Sequence, residues 1–327
     1  MKTKAICAFV ALSAALMSAA CGVGDSAPEQ STDGSVKKVR VGVPANANGI
    51  SAYIAARDFA DDYGLQVEAV TIKSGAEAVP MLMNGQLDIS LGDALGTLMA
   101  SSNGVPVVVA GVASVASPDP TLDPSAIFVA GPDTGVTQLE GQTLAVSALG
   151  GAPELIARAG IDAAGGSSEH VNFVELNPAQ MANSISSGRV KAGLAIEPFT
   201  TAASEAGLTE VLRPMATGYA ELPVTVWFTS QKFAQTHRDT VESFLGAVQS
   251  AGVEANRDLP RARKTAGEFI EMDPRVLDAI RLPVFAENVT DVDSVEELVQ
   301  LADRYDLFDK KPDLGGLLGQ KFEAAAP

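Results

Sequence analysis

The stretch Ser74–Asp93, SGAEAVPMLMNGQLDISLGD, decides how this chain folds. Val67–Ile72 (VEAVTI) before it and Leu87–Leu91 (LDISL) within it read as strands. Between them Ala78, Val79, Leu82 and Met83 recur at helical spacing, with a stop at Asn84-Gly85. A helical crossover of this length makes its two strands parallel, so both carboxyl ends lie on one edge of a sheet. Ser74-Gly75 and Gly92-Asp93 then share that edge. In open α/β sheets this is where helix N-termini leave backbone N–H groups free and side chains converge on a ligand.

Upstream, Val39–Val43 reads as the first strand and Pro44–Gly49 as the loop at its carboxyl end. A helix over about 51–62 ends at Gly64. With Val105–Val115 downstream, these segments predict a mostly parallel sheet with helices on both faces. Ser117–Pro124 then places three prolines in eight residues, which neither strand nor helix continues through, and marks a domain crossover. Beyond it the plan repeats: Ile127–Ala130, a helical turn at Val136–Leu139, Thr143–Ser147, Val171–Leu176, a helix over 178–187, and Val190–Ile196. Ser187-Gly188-Arg189-Val190 stands where Asn84-Gly85-Gln86-Leu87 stood, and Glu197-Pro198 follows its strand as Gly92-Asp93 does. The alternating strand Glu221–Thr229 returns the chain to the first domain, and helices are expected from Ser230, near 260–271, 274–281 and 294–305.

Composition narrows the function. The chain has 327 residues, 46% of them hydrophobic, enough for two ordinary α/β cores. Net charge is −17, and −19 without the first twenty residues, with 21 basic against 40 acidic. Nucleic acid is disfavoured as a partner, since phosphate contact needs a basic footprint. Lys2 and Lys4, the apolar run Ala5–Met17 and the small residues Ser18–Ala20 have the order of a secretory signal over residues 1–20. Met17–Cys21 resembles a bacterial lipobox without its usual leucine, which leaves lipidation of Cys21 or ordinary cleavage. Cys7 lies within the signal, so Cys21 is the only cysteine of the mature chain and has no disulfide partner. Its solitude favours the lipid, with residues 21–37 as a flexible tether to the membrane.

Several segments, in order, resemble the thiamine-precursor, nitrate and aliphatic-sulfonate group of ABC-transporter substrate-binding proteins. They are Tyr53-Ile54-Ala55 with Tyr63–Glu68; Asn84–Asp88; Leu139–Val146; Ser187–Val190 with Glu197-Pro198-Phe199; and Arg281–Phe285. The resemblance spans about residues 38–320. It implies the two-lobed type II periplasmic binding protein fold, each lobe a mostly parallel sheet flanked by helices, with ligand in the cleft between lobes. Residues 38–122 and 224–327 would form lobe 1, and 123–223 lobe 2. It also implies a monomer that delivers a small molecule to a membrane permease and its cytoplasmic ATPase. Two departures stand out: Lys191 where the group has an aspartate, and Asn46, Asn48 and Gly49 where it has Ala-Pro.

Positions at strand carboxyl ends give the candidate wall: Asn46, Asn48, Ser74, Gly75, Asp93, Ser117, Ser147, Gly150, Gly151 and Glu197. Asp93 and Glu197 would repel nitrate or sulfonate and suit an aminopyrimidine, another N–H-bearing heterocycle or an amine; alternatively each caps its helix or pairs with an arginine. Gly150–Ala152 is either a seat for an anion or carbonyl at a helix start or simply a tight turn. Trp227, with Tyr219 near the return crossover, either stacks on a flat ligand or belongs to the core. His170 and His237 fall off the predicted edge, and no metal, nucleophile or cofactor motif is present, so no metal, cofactor or catalysis is expected. A pyrimidine-synthesising enzyme of the same fold is disfavoured by the signal and the lone mature cysteine. A tethered ligand sensor remains the alternative of another class.

Overall fold

Two sheets built on one plan hold the molecule together. The computed structural model describes residues 36–327. The expected signal over 1–20, the expected lipidation at Cys21 and the expected tether before residue 36 lie outside them. The first sheet is assembled from β1 (Lys37–Pro44), β2 (Leu65–Ile72), β3 (Ile89–Asp93) and β4 (Val107–Val115). Around these run α1 (Ile50–Ile54), α2 (Gly75–Met83) and α3 (Ala94–Ser102). The chain then crosses over and builds the second sheet: β5 (Ser125–Val129), β6 (Thr143–Val146), α4 (Ala152–Ala163), β7 (Asn172–Glu175), α5 (Met181–Ser186), β8 (Ala192–Ile196), α6 (Phe199–Glu205) and β9 (Thr209–Leu212). Helix α7 (Pro214–Gly218) lies in the return crossover, and β10 (Pro223–Ser230) rejoins the first sheet. Helices α8 (Gln231–Thr236), α9 (Arg238–Arg257), α10 (Leu259–Phe269) and α11 (Pro274–Ala279) precede β11 (Val284–Phe285), α12 (Asp293–Arg304) and α13 (Leu314–Leu318).

Strand order is β11-β4-β10-β3-β1-β2 in the first sheet and β7-β6-β8-β5-β9 in the second. Leaving out β11, the two orders are the same, with β2-α2-β3 flanking β1 as β7-α5-β8 flank β6. The expected echo between the two halves is therefore architectural. Gly85 and Gly188 close the equivalent helices at φ 73° and 72°, a left-handed turn that an L side chain enters with strain. Pairing is parallel through β2-β1-β3 and β7-β6-β8. One interior strand of each sheet is reversed: β10 pairs antiparallel with β3 and β4, and β5 with β8 and β9, while the short edge strand β11 also runs antiparallel to β4. Each reversed interior strand is the one the chain enters straight after crossing between sheets.

Register in the first sheet is pinned by a fork. Arg40 of β1 donates from Nε and Nη2 to the two carboxylate oxygens of Asp88 at 3.0 and 2.6 Å, and its backbone N–H adds a third bond. Lys191 occupies the corresponding place in the second sheet. Its backbone N–H still reaches Thr143 O at 3.0 Å, as that of Asp88 reaches Arg40 O at 2.9 Å, but it brings no carboxylate.

The helix expected over 51–62 is not uniform. After α1 it widens through Ala55–Phe59, tightens at Asp61–Tyr63 and stops at Gly64 with φ 64°. The short edge strand β11 was not expected, being too brief for a period-2 signal. The longest helix, α9, lays Val241, Phe244, Leu245 and Val248 into the core. There the fully buried Trp227 meets Phe244 edge to face, with centroids 5.0 Å apart.

Candidate functional site

The carboxyl ends of strands from both sheets open onto one cavity of about 410 Å³. Pro44 ends β1, Ser74-Gly75 follow β2, Gly92-Asp93 end β3, Ser114-Val115 end β4 and Ile196-Glu197 end β8. The start of β10 contributes Val224-Thr225, and the first turn of α4 contributes Ala152 and Pro153. Of the eleven residues that the sequence pointed to, Asn46, Asn48, Ser74, Gly75, Asp93, Ser117 and Glu197 lie in this wall. Parallel strands put alternate loops on the same edge, so local reading of strand ends was enough to find them.

Four do not line it. Ser147 faces a smaller space of about 150 Å³ beside Met181 and Phe199, on the other side of Glu197. At the Gly150-Gly151 turn, Gly150 N–H already donates to Glu154 at 2.8 Å and the preceding Leu149 N–H to Glu175 at 3.2 Å, so one of the three donors read there serves a carboxylate of the chain. With φ 65° at Gly150, the tight-turn reading applies. Trp227 sits on the core side of β10 and cannot stack on a ligand. Tyr219 is also buried, its hydroxyl donating to Pro223 O at 2.9 Å.

Asp93 serves as the N-cap of α3, with Oδ1 accepting from Gly96 N–H at 2.7 Å. Its other oxygen has no hydrogen-bond partner among the described residues. The side chain is open to the cavity and walled by protein elsewhere. That crowding pushes its pKa up to about 6, against the smaller opposing effect of the Gly96 bond. Burial, with the Asp93 charge nearby, pushes the Tyr219 hydroxyl well above its ordinary value.

Glu197 differs. Its side chain is 5% exposed. One oxygen accepts from Thr201 N–H and Oγ1 at 3.1 and 2.9 Å, capping the start of α6, and the other meets Arg281 Nη1 at 3.3 Å. Both non-ligand roles considered for this residue, cap and arginine pair, are therefore present. Arg281 also reaches Thr121 O in the crossover at 3.0 Å. Nothing in the local pattern around Arg281 announces a site; it arrives from the segment after α11.

The remaining polar wall is modest. Lys73 lines the cavity and makes no ion pair among the described residues. Ser114 and Thr225 share a 2.6 Å hydroxyl bond. Asn46 uses its side-chain oxygen on Asn48 N–H at 3.0 Å. Otherwise the lining is apolar, from Leu91, Val115, Leu122, Ile156, Met215 and Val284 among others, and no lining side chain is aromatic.

Two similarly ordered sheets with a cavity at their facing strand ends make the fold that of the periplasmic binding proteins. The chain is similar to the periplasmic aliphatic sulphonate binding protein SsuA from Escherichia coli, at 17% identity over 89% of this chain and 94% of that one, with a TM-score of 0.71. It is similar also to the alkanesulfonate-binding protein SsuA from Xanthomonas axonopodis pv. citri bound to MOPS (15% identity, 85% and 96% covered, TM-score 0.63). A third likeness is to the periplasmic nitrate-binding protein NrtA from Synechocystis PCC 6803 (14%, 74% and 69%, TM-score 0.54). The profile of the NMT1/THI5 like family matches residues 46–260, and the chain belongs to that family. No curated protein matches the chain.

Proposed function

We propose that this protein is the extracytoplasmic solute-binding component of an ABC importer. In this reading it is tethered to the membrane through lipid on Cys21 and hands its ligand to a permease driven by a cytoplasmic ATPase. It acts as a monomer and performs no chemistry. The lobes, 38–122 with 224–327 and 123–223, close over a small organic molecule. The observation that carries the reading is the cavity itself, formed by strand ends of both sheets and so enclosed only when the two are brought together. Family membership and the secretory signal support the same conclusion.

Asp93 selects the ligand class. A carboxylate with one free oxygen facing a cavity of mixed but mainly apolar lining suits a ligand that brings N–H donors or a positive charge. An aminopyrimidine or other N–H heterocycle meets that condition. An alkyl amine meets it too, and better matches a wall without aromatic rings. Nitrate, taurine or an alkanesulfonate is the second reading, favoured by Lys73 and Arg281 in the wall and by what the solved relatives bind by name.

Thermal unfolding of the purified full chain against amines, polyamines, thiamine and its pyrimidine precursor, nitrate, taurine and alkanesulfonates tests both. A ligand at a hundred times its dissociation constant adds about 2.7 kcal/mol to the folded state, enough to move the midpoint by a few degrees. A shift with an amine or aminopyrimidine that disappears in Asp93→Asn is expected. A shift with sulfonate or nitrate alone would replace the ligand class and keep the receptor.

A further inference from the structure

Glu197 and Arg281 form an unusual pair to find in a ligand cavity. Both line it, one at the end of β8 and the other after α11, so the pair spans the two halves of the wall. Their contact is long and one-sided. A guanidinium and a carboxylate commonly meet through two parallel bonds, whereas here one nitrogen meets one oxygen at 3.3 Å. The Arg281 backbone N–H approaches the same oxygen at 3.4 Å. Arg281 Nε is turned to Thr121 O, and Nη2 has no partner among the described residues. Glu197 is held firmly from behind by Thr201, so its charge stays beside Arg281 whatever else enters.

We infer that Glu197 sets the sign of the ligand by masking Arg281, and that Arg281 is a latent subsite for a carboxylate or sulfonate group. This rests on the cavity being the ligand site. An anion approaching Nη2 meets the fixed negative charge of Glu197 in the same wall, and that like-charge repulsion offsets what the guanidinium returns. With Glu197 neutralised, the free face of Arg281 becomes a charge-assisted donor pair. With Arg281 neutralised instead, one oxygen of Glu197 loses its guanidinium partner, and the wall gains a second carboxylate without a balancing charge in addition to Asp93. The two halves of the pair thus push selectivity in opposite directions, which a purely structural ion pair does not do.

Calorimetric titration of the full chain with methanesulfonate and with butylammonium reads both directions. Glu197→Gln keeps an oxygen for the Thr201 bonds and is expected to tighten methanesulfonate at least about tenfold. Adding Arg281→Gln should abolish that gain, and Arg281→Gln alone should tighten butylammonium by a similar factor. A folded Glu197→Gln that binds methanesulfonate no better than the parent overturns the inference, as does a gain that survives in the double variant. If Glu197→Gln fails to fold, Arg281→Gln decides: no gain for butylammonium overturns the masking. Tight methanesulfonate binding by the parent chain, lost in Arg281→Gln, also refutes masking while leaving solute binding intact. A parent chain that binds nothing in the thermal panel counts against solute binding alone, because the masking is read from what the variants gain.

Discussion

At the scale of single residues, Asp93 joins a structural duty to a chemical one. As the cap of α3 it has a stabilising bond to Gly96, yet its charge faces a cavity that disfavours it. The folded-state pKa of about 6 lies above the ordinary 3.8. The folded chain therefore holds a proton that the unfolded chain has released, between these two values. Asp93 makes stability fall as pH rises through that window, with the full penalty present above about 6. Asparagine caps as well as aspartate and carries no charge. Asp93→Asn should therefore raise the unfolding midpoint of the empty protein at pH 7.5 and flatten its pH dependence between about 4 and 6, while removing amine binding. In the parent chain, amine affinity should weaken as pH falls through about 6. Unchanged stability profiles for the two proteins in denaturant melts across that range would refute this account.

At the scale of elements, the return crossover is packed unusually close to α4. A Cβ at Gly218 would stand 2.2 Å from Ala159 O, and one at Gly160 would stand 2.4 Å from Pro214 Cβ. Helices α4 and α7 touch through backbone, and neither surface can yield by a side-chain rotation. Gly218→Ala should destabilise the fold by about 1–3 kcal/mol in chemical denaturation, the usual range for overpacking. Because the first turn of α4 lines the cavity, the same substitution should weaken ligand binding without altering any lining side chain. Asn84-Gly85 and Ser187-Gly188 were legible from sequence because a left-handed helix stop has a strong local signature. Gly160 and Gly218 were not, since each is required by a partner more than fifty residues away.

At the scale of the whole molecule, the two crossovers between the sheets are fastened to one another. Asp123, fully buried, accepts from Ser125 N–H and Oγ with one oxygen and from Ala216 N–H with the other, at 2.8, 2.6 and 2.9 Å. The buried Arg213 returns Nη1 to Asp123 O at 2.7 Å and pairs with Glu210. Ala116 and Glu221–Leu222 add two backbone bonds between the same segments. Asp123→Ala would leave several buried donors without partners. It should lower stability by about 3 kcal/mol or more, measured by denaturant unfolding, and loosen both crossovers together. A loss below about 1 kcal/mol would mean that water or neighbouring groups replace the carboxylate.

The sequence by itself determined most of the strands, their common edge and seven positions of the wall. Apolar periodicity, glycine stops and proline breaks act over a few residues, and parallel crossovers carry that local information to one side of a sheet. Tertiary structure alone decided which wall residues are free to bind. Asp93 and Glu197 look alike in sequence, each a carboxylate after a buried strand, yet one keeps an open oxygen while the other is taken by Thr201 and by Arg281 from 84 residues away. Trp227 likewise belonged to core or cleft according to where α9 would pack. Hydrogen-bond occupancy and burial are set by partners distant along the chain, and no local pattern encodes them.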